Sequence, residues 1–173
     1  YTFIKNNGGR IGDSIFEADR LNDCTEILSK AKNENVNVFL PEDILCSNEF
    51  SNFGLQKVTN IYEVPEGWQG LDIGPKTMEK FEQVILGSST ILWNGPMGVF
   101  EMPSFEKGTH AVAKTVAKAT QNGAYSLIGG GDSVAAIKKF GLQNQVSFIS
   151  TGGGAMLESL EGKLLPGINA LSQ

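Results

Sequence analysis

Twice in its last third the chain passes from an apolar run into three glycines and then into a helical pattern. The stretches are "SLIGGGDSVAAIKKFG" (residues 126–141) and "VSFISTGGGAMLESLEG" (residues 146–162). A third junction, "TILWNGPMGVFE" (residues 90–101), leaves a short apolar run through a polar Gly-Pro loop. Strands that read as unbroken apolar runs are covered on both faces, and strands that alternate with helices lie parallel. The expected fold is therefore α/β: an open, mostly parallel, doubly wound (Rossmann-like) sheet with helices on both faces. Ligands of such sheets bind outside the carboxyl ends of the strands. All three junctions, residues 94–101, 129–133 and 151–154, carry their unusual residues at that end.

The rest of the chain fits the alternation. Leu21, Cys24, Ile27, Leu28 and Ala31 recur at spacings of three and four, which predicts a helix over residues 18–34. "VNVFLP" (residues 36–41) reads as a buried strand. A short strand near Val58 is followed by a Gly/Pro-rich turn region. "PKTMEKFEQVIL" predicts a helix over Pro75–Leu86, with Pro75 at its first position. Residues 91–93 are a strand. A long helix over residues 103–123 buries Phe105, Ala113, Val116 and Ala117 and stops at Gly123. Strands at 124–128 and 146–151 and helices at 133–141 and 155–162 complete the pattern, and the tail from Lys163 is mixed. "YTFIKNN" at the start reads as the end of an element already under way, as in a piece of a longer protein.

Composition removes several function classes. Net charge is -5, which argues against nucleic acid, since phosphate-backbone binding needs clustered Lys and Arg. No run of eighteen apolar residues is present, so no membrane helix is expected. Cys24 and Cys46 form no CxxC pair and read as reduced thiols in a cytosolic protein. His110 is the only histidine, which discounts a histidine-based zinc site or a Ser-His-Asp triad. Glycine, at 21 of 173 residues, is about 12% against a usual ~7%, and the excess sits at strand–helix junctions.

The junctions fail two familiar phosphate motifs. Gly162-Lys163 is followed by Leu164, so it is no P-loop. Val134 and Leu157 stand where a dinucleotide fingerprint needs its last glycine, which disfavours a dinucleotide oxidoreductase. A glycine turn at a helix start still exposes unpaired N–H groups and the positive end of the helix dipole. Gly130 and Gly131 let phosphoryl oxygens approach the backbone. Asp132 would repel bare phosphate, but Mg²⁺ takes one or two carboxylates together with phosphate oxygens, so Asp132 is a candidate metal contact. An equal alternative is that Asp132 or Ser133 merely caps the helix. Gly152, Gly153 and Gly154 offer a second helix start, or simply a tight turn. Asn94 lies at a strand end; Pro96, Gly98 and Val99 suit an apolar wall, and Glu101 a ribose hydroxyl. Trp93 and Phe100 read as core. Together these groups match what a purine nucleoside di- or triphosphate with Mg²⁺ requires.

At these residues the sequence resembles the phosphoglycerate kinase family. "WNGPMGVFE", "IGGGDS", "STGGGA" with "LEGKLLPG", and "GWQGLDIGP" stand in that family's order and spacing, and "YTFIK" resembles the stretch after its "GGGMA". The resemblance implies reversible phosphoryl transfer between 1,3-bisphosphoglycerate and ADP with Mg²⁺, in the cytoplasm. It implies that Gly70 and Leu71 line the adenosine site and that Asn94, Pro96, Gly98, Val99 and Glu101 hold the nucleoside. Gly130, Gly131, Asp132 and Ser133, the last often Thr in the family, would face the phosphates and Mg²⁺. Gly152 and Gly153 would stabilise the moving phosphoryl group. Residues 1–173 match most of one lobe, the C-terminal nucleotide-binding lobe, of a two-lobed enzyme that is monomeric at full length. That lobe's first strand–helix units, with their "GGAK" lysines, have no counterpart here. Nor has the other lobe, with its phosphoglycerate-binding basic residues and catalytic arginine. The expectation is thus a half-site: an ATP/ADP-binding lobe inactive alone, or else a non-catalytic nucleotide-binding module or inert remnant.

Overall fold

The computed structural model describes residues 1–171. They form two compact units, Tyr1–Phe81 with Met97–Thr109, and Glu82–Pro96 with the residues from His110 onward. Among the described residues three of the five strand pairings are parallel. The α/β class with open parallel sheets is as the sequence predicts.

In the first unit the elements are α1 (Thr2–Asn6), β1 (Arg10–Ile11), α2 (Leu21–Asn33), β2 (Asp43–Ser47), β3 (Gln56–Asn60), β4 (Glu63–Val64), β5 (Gln69–Ile73) and the start of α3 (Pro75–Leu86). β1 pairs in parallel with β4. β2 is the centre of a three-stranded antiparallel sheet in the order β3-β2-β5. Ile4, Ile11, Ile44, Cys46, Ile61 and Val64 make the core, with Tyr1, Leu40 and Trp68 packed on it. Both cysteines are free and buried.

The antiparallel sheet is an addition to the sequence reading, which had only the strand near Val58. Cys46 and Ser47 of β2 are fully buried, and polar residues surround the short "ILC" run, so periodicity over it is too short to register. The predicted helix over residues 18–34 is a 3-10 turn, Ala18–Arg20, followed by α2. α2 closes on Asn35, held at φ +57, with Val36 N–H donating to the Ala31 carbonyl and Asn35 N–H to that of Lys32. These bonds form a Schellman closure, with Asn in the left-handed place that glycine usually takes.

The buried strand predicted over residues 36–41 is corrected. The segment forms no strand, and Val36, Val38 and Phe39 are 57%, 41% and 43% exposed. A strand needs a neighbour for its backbone groups, and no strand among the described residues pairs with this one.

The second unit holds β6 (Thr90–Asn94), most of α4 (Lys107–Gln121), β7 (Tyr125–Gly129), α5 (Gly131–Lys139), β8 (Phe148–Ile149), α6 (Gly153–Leu160) and α7 (Pro166–Leu171). β6, β7 and β8 form one parallel sheet in that order. Val112, Ala113, Val116 and Ala117 of α4 are buried at the spacing of one helix face. Phe105, in a 3-10 turn of the first unit, is buried too, as are Trp93 and Phe100. His110 stacks on Phe140 with ring centroids 4.4 Å apart. α3 has its predicted bounds; α5 starts two residues before its predicted start, β8 is shorter, and α7 occupies part of the mixed tail. The last two residues of that tail lie outside the described residues. Among the described residues no helix is long and apolar enough to cross a membrane.

Candidate functional site

The parallel register of the second unit brings the three junctions together. Asn94 at the end of β6 pairs with Gly129 at the end of β7, and Ile128 pairs with Ile149 at the end of β8. Ser150 N–H extends that ladder to the Ile128 carbonyl at 2.8 Å. Asn94, Gly130 and Thr151 therefore leave the carboxyl edge of one sheet side by side. Their contacts are direct. Gly130 has φ +83, and the Asn94 Oδ1 lies where a Cβ on Gly130 would stand. A Cβ on Gly153 would fall 2.6 Å from the Gly130 backbone.

Helix starts meet at this edge. Gly130 is the N-cap of α5 and Gly152 that of α6, neither with a side-chain cap bond. Asp132 and Ser133 thus do not cap in the ordinary way; both stand within the first turn of α5. Gly131 and Asp132 are exposed, whereas Ser133 is fully buried and its hydroxyl accepts the Gly95 N–H at 2.6 Å. Ser133 thereby ties the loop after β6 to α5. Pro96, next in that loop, is half-buried. Gly152 is exposed, and Met156 N–H donates to its carbonyl at 2.9 Å in the first turn of α6. Two exposed helix starts, each fronted by glycine, turn unpaired N–H groups and the positive ends of two helix dipoles toward this edge, a chemistry that suits an anion. One exposed carboxylate beside them suits Mg²⁺, which uses few protein ligands and completes its shell with phosphate oxygens and water. Among the described residues no group of three or more His, Cys, Asp or Glu gathers as a metal cage.

The first unit holds the other expected residues. Gly70 N–H donates to Ser14 Oγ at 3.0 Å, and the Tyr1 ring packs where Gly70 lacks a side chain. Leu71 is buried, and its carbonyl accepts the Val99 N–H at 2.8 Å. Gly98 and Val99 are half-buried and Glu101 is exposed. A group that the sequence reading passed over, Asp72, lies between these strands and turns at 1% exposure. Its carboxylate accepts N–H groups from Gly108 at 2.7 Å and Ile73 at 2.9 Å. The signal was its place in "GLDIGP", but an acid reads as exposed by default.

Burial pushes the Asp72 carboxyl up to about 6, against the pull of the Gly108 and Ile73 N–H groups and of Lys107. Between its ordinary value and pH 6 the folded chain keeps a proton that the unfolded chain has released. This contribution is therefore greatest at low pH and is lost as pH rises through 6. A rise of about two units is worth about 3 kcal/mol. Urea unfolding of the chain and of Asp72→Asn, at about pH 4.5 and about pH 7.5, checks this. The chain should lose about 2 kcal/mol relative to the variant between those pH values, the first part of the loss lying below about pH 4.5; parallel curves would contradict it.

The comparisons agree with one another. The family model for phosphoglycerate kinase matches residues 1–163. A phosphoglycerate kinase of Porphyromonas gingivalis is 53% identical over 171 residues, covering 99% of this chain and 41% of that protein. One of Thermosipho africanus is 50% identical over 173 residues, covering 99% of this chain and 43% of that protein. The solved phosphoglycerate kinase of Coxiella burnetii superposes with a TM-score of 0.89 at 44% identity, over 94% of this chain and 42% of that one. The chain thus spans about two fifths of the length of the relatives it matches. A family model over nearly the whole chain, with relatives half identical to it, places the chain in the phosphoglycerate kinase family.

Proposed function

We propose that this chain supplies the nucleotide-binding residues of a longer kinase, which exchanges a phosphoryl group between 1,3-bisphosphoglycerate and ADP in the cytoplasm. The observation that carries the reading is the meeting of Asn94, Gly130 and Gly153 at the carboxyl edge of β6-β7-β8. Phosphoryl transfer needs positioning and charge stabilisation more than covalent chemistry from the protein. Backbone N–H groups at Gly130, Gly131, Gly152 and Gly153 supply both without adding cationic side chains. In this reading the first-turn backbone of α5, through Ser133, faces the phosphates, and Asp132 holds Mg²⁺ directly or through water. Bound there, Mg²⁺ would neutralise phosphate charge. Asn94 and Pro96 border the same edge. Gly70, Leu71, Gly98 and Val99 contact the adenosine, and Glu101 accepts a ribose hydroxyl. The phosphoglycerate belongs to residues outside this chain.

Calorimetry of the purified chain with ADP, with and without Mg²⁺, tests the reading. Binding is expected, tighter with the metal and without turnover in a coupled ATP assay. No binding would leave an inert remnant, and turnover at ordinary kinase rates would overturn the half-site. In the full-length enzyme Asp132→Ala should lower the use of Mg-ADP roughly tenfold to a hundredfold, the range for losing a group that supports a bound metal through its shell. Unchanged kinetics would remove its metal role.

A further inference from the structure

Two buried polar side chains of the first unit have no part in the reading above. Thr109 is fully buried, and its hydroxyl accepts the N–H of Met97 at 3.1 Å and of Gly98 at 3.3 Å. Asp72 Oδ1 and the Leu71 carbonyl both lie 2.5 Å from where a Cβ on Gly98 would stand. Asp72 Oδ2 takes the N–H of Gly108, the residue before Thr109. Val99 N–H ends on the Leu71 carbonyl at 2.8 Å. Three successive N–H groups of one loop are thus held by protein atoms, two of them by a single hydroxyl. Loops ordinarily give such groups to water. A buried carboxylate is also a costly way to support a loop, since apolar packing of similar volume usually serves the fold as well or better. Asp72 sits beneath this loop and holds the N–H groups of Gly108 and Ile73, a place where an apolar residue would serve stability as well, which points to a use in positioning.

We propose that Asp72 and Thr109 are positioning residues that fix the backbone of Met97, Gly98 and Val99 as a preformed wall for the base and ribose of a nucleoside diphosphate, without touching it. This rests on the nucleotide reading above. Held in advance, the loop binds without the ordering entropy that a mobile wall would lose.

Steady-state kinetics of the full-length enzyme carrying this sequence tests it, with Mg-ATP and 3-phosphoglycerate as substrates. Thr109→Val keeps the shape and removes the acceptor. It should raise KM for Mg-ATP roughly tenfold or more, as loss of a buried hydrogen-bonding group does, with kcat and KM for 3-phosphoglycerate within about twofold. Thr109→Ser restores the hydroxyl and should return KM to within about threefold of the parent. Asp72→Asn should repeat the Thr109→Val pattern while its circular dichroism stays that of the parent. A folded Thr109→Val enzyme with unchanged KM for Mg-ATP overturns the proposal. So does a loss spread equally over both substrates, or failure of both Thr109→Val and Asp72→Asn to fold, since each marks a structural role alone. Calorimetry of the unmodified enzyme with Mg-ADP separates the two readings: no binding there sinks the nucleotide reading and this one together, whereas normal binding with silent variants sinks only this one.

Discussion

Gly153→Ala is expected to remove most Mg-nucleotide binding from this chain. The new methyl group would stand 2.6 Å from the Cα and N of Gly130. A side chain could rotate away, but a backbone at a sheet edge cannot. Either α6 retreats from the edge of the sheet or the Gly130 turn shifts, and each separates the two helix starts. Overpacking of this kind costs about 1–3 kcal/mol in stability. The effect on binding should be larger, roughly a hundredfold in affinity, because the N–H groups must sit within a few tenths of an ångström of the phosphoryl oxygens. Gly154→Ala is the control: nothing lies within 4 Å of its added methyl group, so fold and binding should both survive. Titration of each variant with Mg-ADP in the calorimeter reads the difference. Equal affinities for Gly153→Ala and the parent would take the second helix start out of the phosphate site.

Asp43→Ala should have the largest effect on stability. Asp43 stands at the start of β2, buried, and its carboxylate takes the N–H of Thr77 at 2.8 Å and of Lys76 at 3.1 Å in the first turn of α3. The Thr77 hydroxyl donates to the same carboxylate at 2.7 Å. That hydroxyl accepts the N–H of Glu42 at 3.0 Å. A residue more than thirty positions away in sequence thus caps α3, and its negative charge meets the positive end of the helix dipole. Truncation strands the buried N–H of Thr77, frees the partly buried N–H of Lys76 and loosens the Thr77 hydroxyl. Losses of this kind come to about 3–5 kcal/mol, a large share of a domain's total of about 5–15 kcal/mol. Urea unfolding should show the midpoint falling by a third or more at an unchanged slope, on the order expected for that loss. Thr77→Val should cost less, and the double variant less than the sum, because both remove the same bonds. A loss below about 1 kcal/mol for Asp43→Ala would show that water or relaxation satisfies those groups.

Legibility in the sequence followed length and locality. α3 was readable to its ends because Pro75 and four apolar residues at helical spacing all lie within twelve positions. The core face of α4 was readable for the same reason. β2 and β5 were not, since five-residue strands in a sheet of antiparallel neighbours leave too short a pattern, and Gly70 within β5 resembles a turn. Residues 36–41 misled because an apolar run states a wish for burial without naming the neighbour that would provide it. In the candidate site, the glycine junctions announced themselves by composition and by their place after apolar runs. What the letters could not tell of Ser133 is that its side chain is buried and accepts the Gly95 N–H, which leaves its backbone as the part at the helix start. Asp72, Thr109 and Asp43 were silent, because a polar letter in a sequence does not say that it is buried.

The sequence by itself determined the class of fold, the position of the three glycine junctions and the family. These rest on local pattern and on motif order, and both are written along the chain. The tertiary structure alone decided which junctions touch, through the parallel register Asn94↔Gly129 and Ile128↔Ile149. It also decided that Asp43 and Asp72 spend their charge on backbone N–H groups of distant helix starts. The physical reason is that a hydrogen-bond partner or a close backbone contact is a relation between residues far apart in sequence, and only the folded chain brings them within 3 Å.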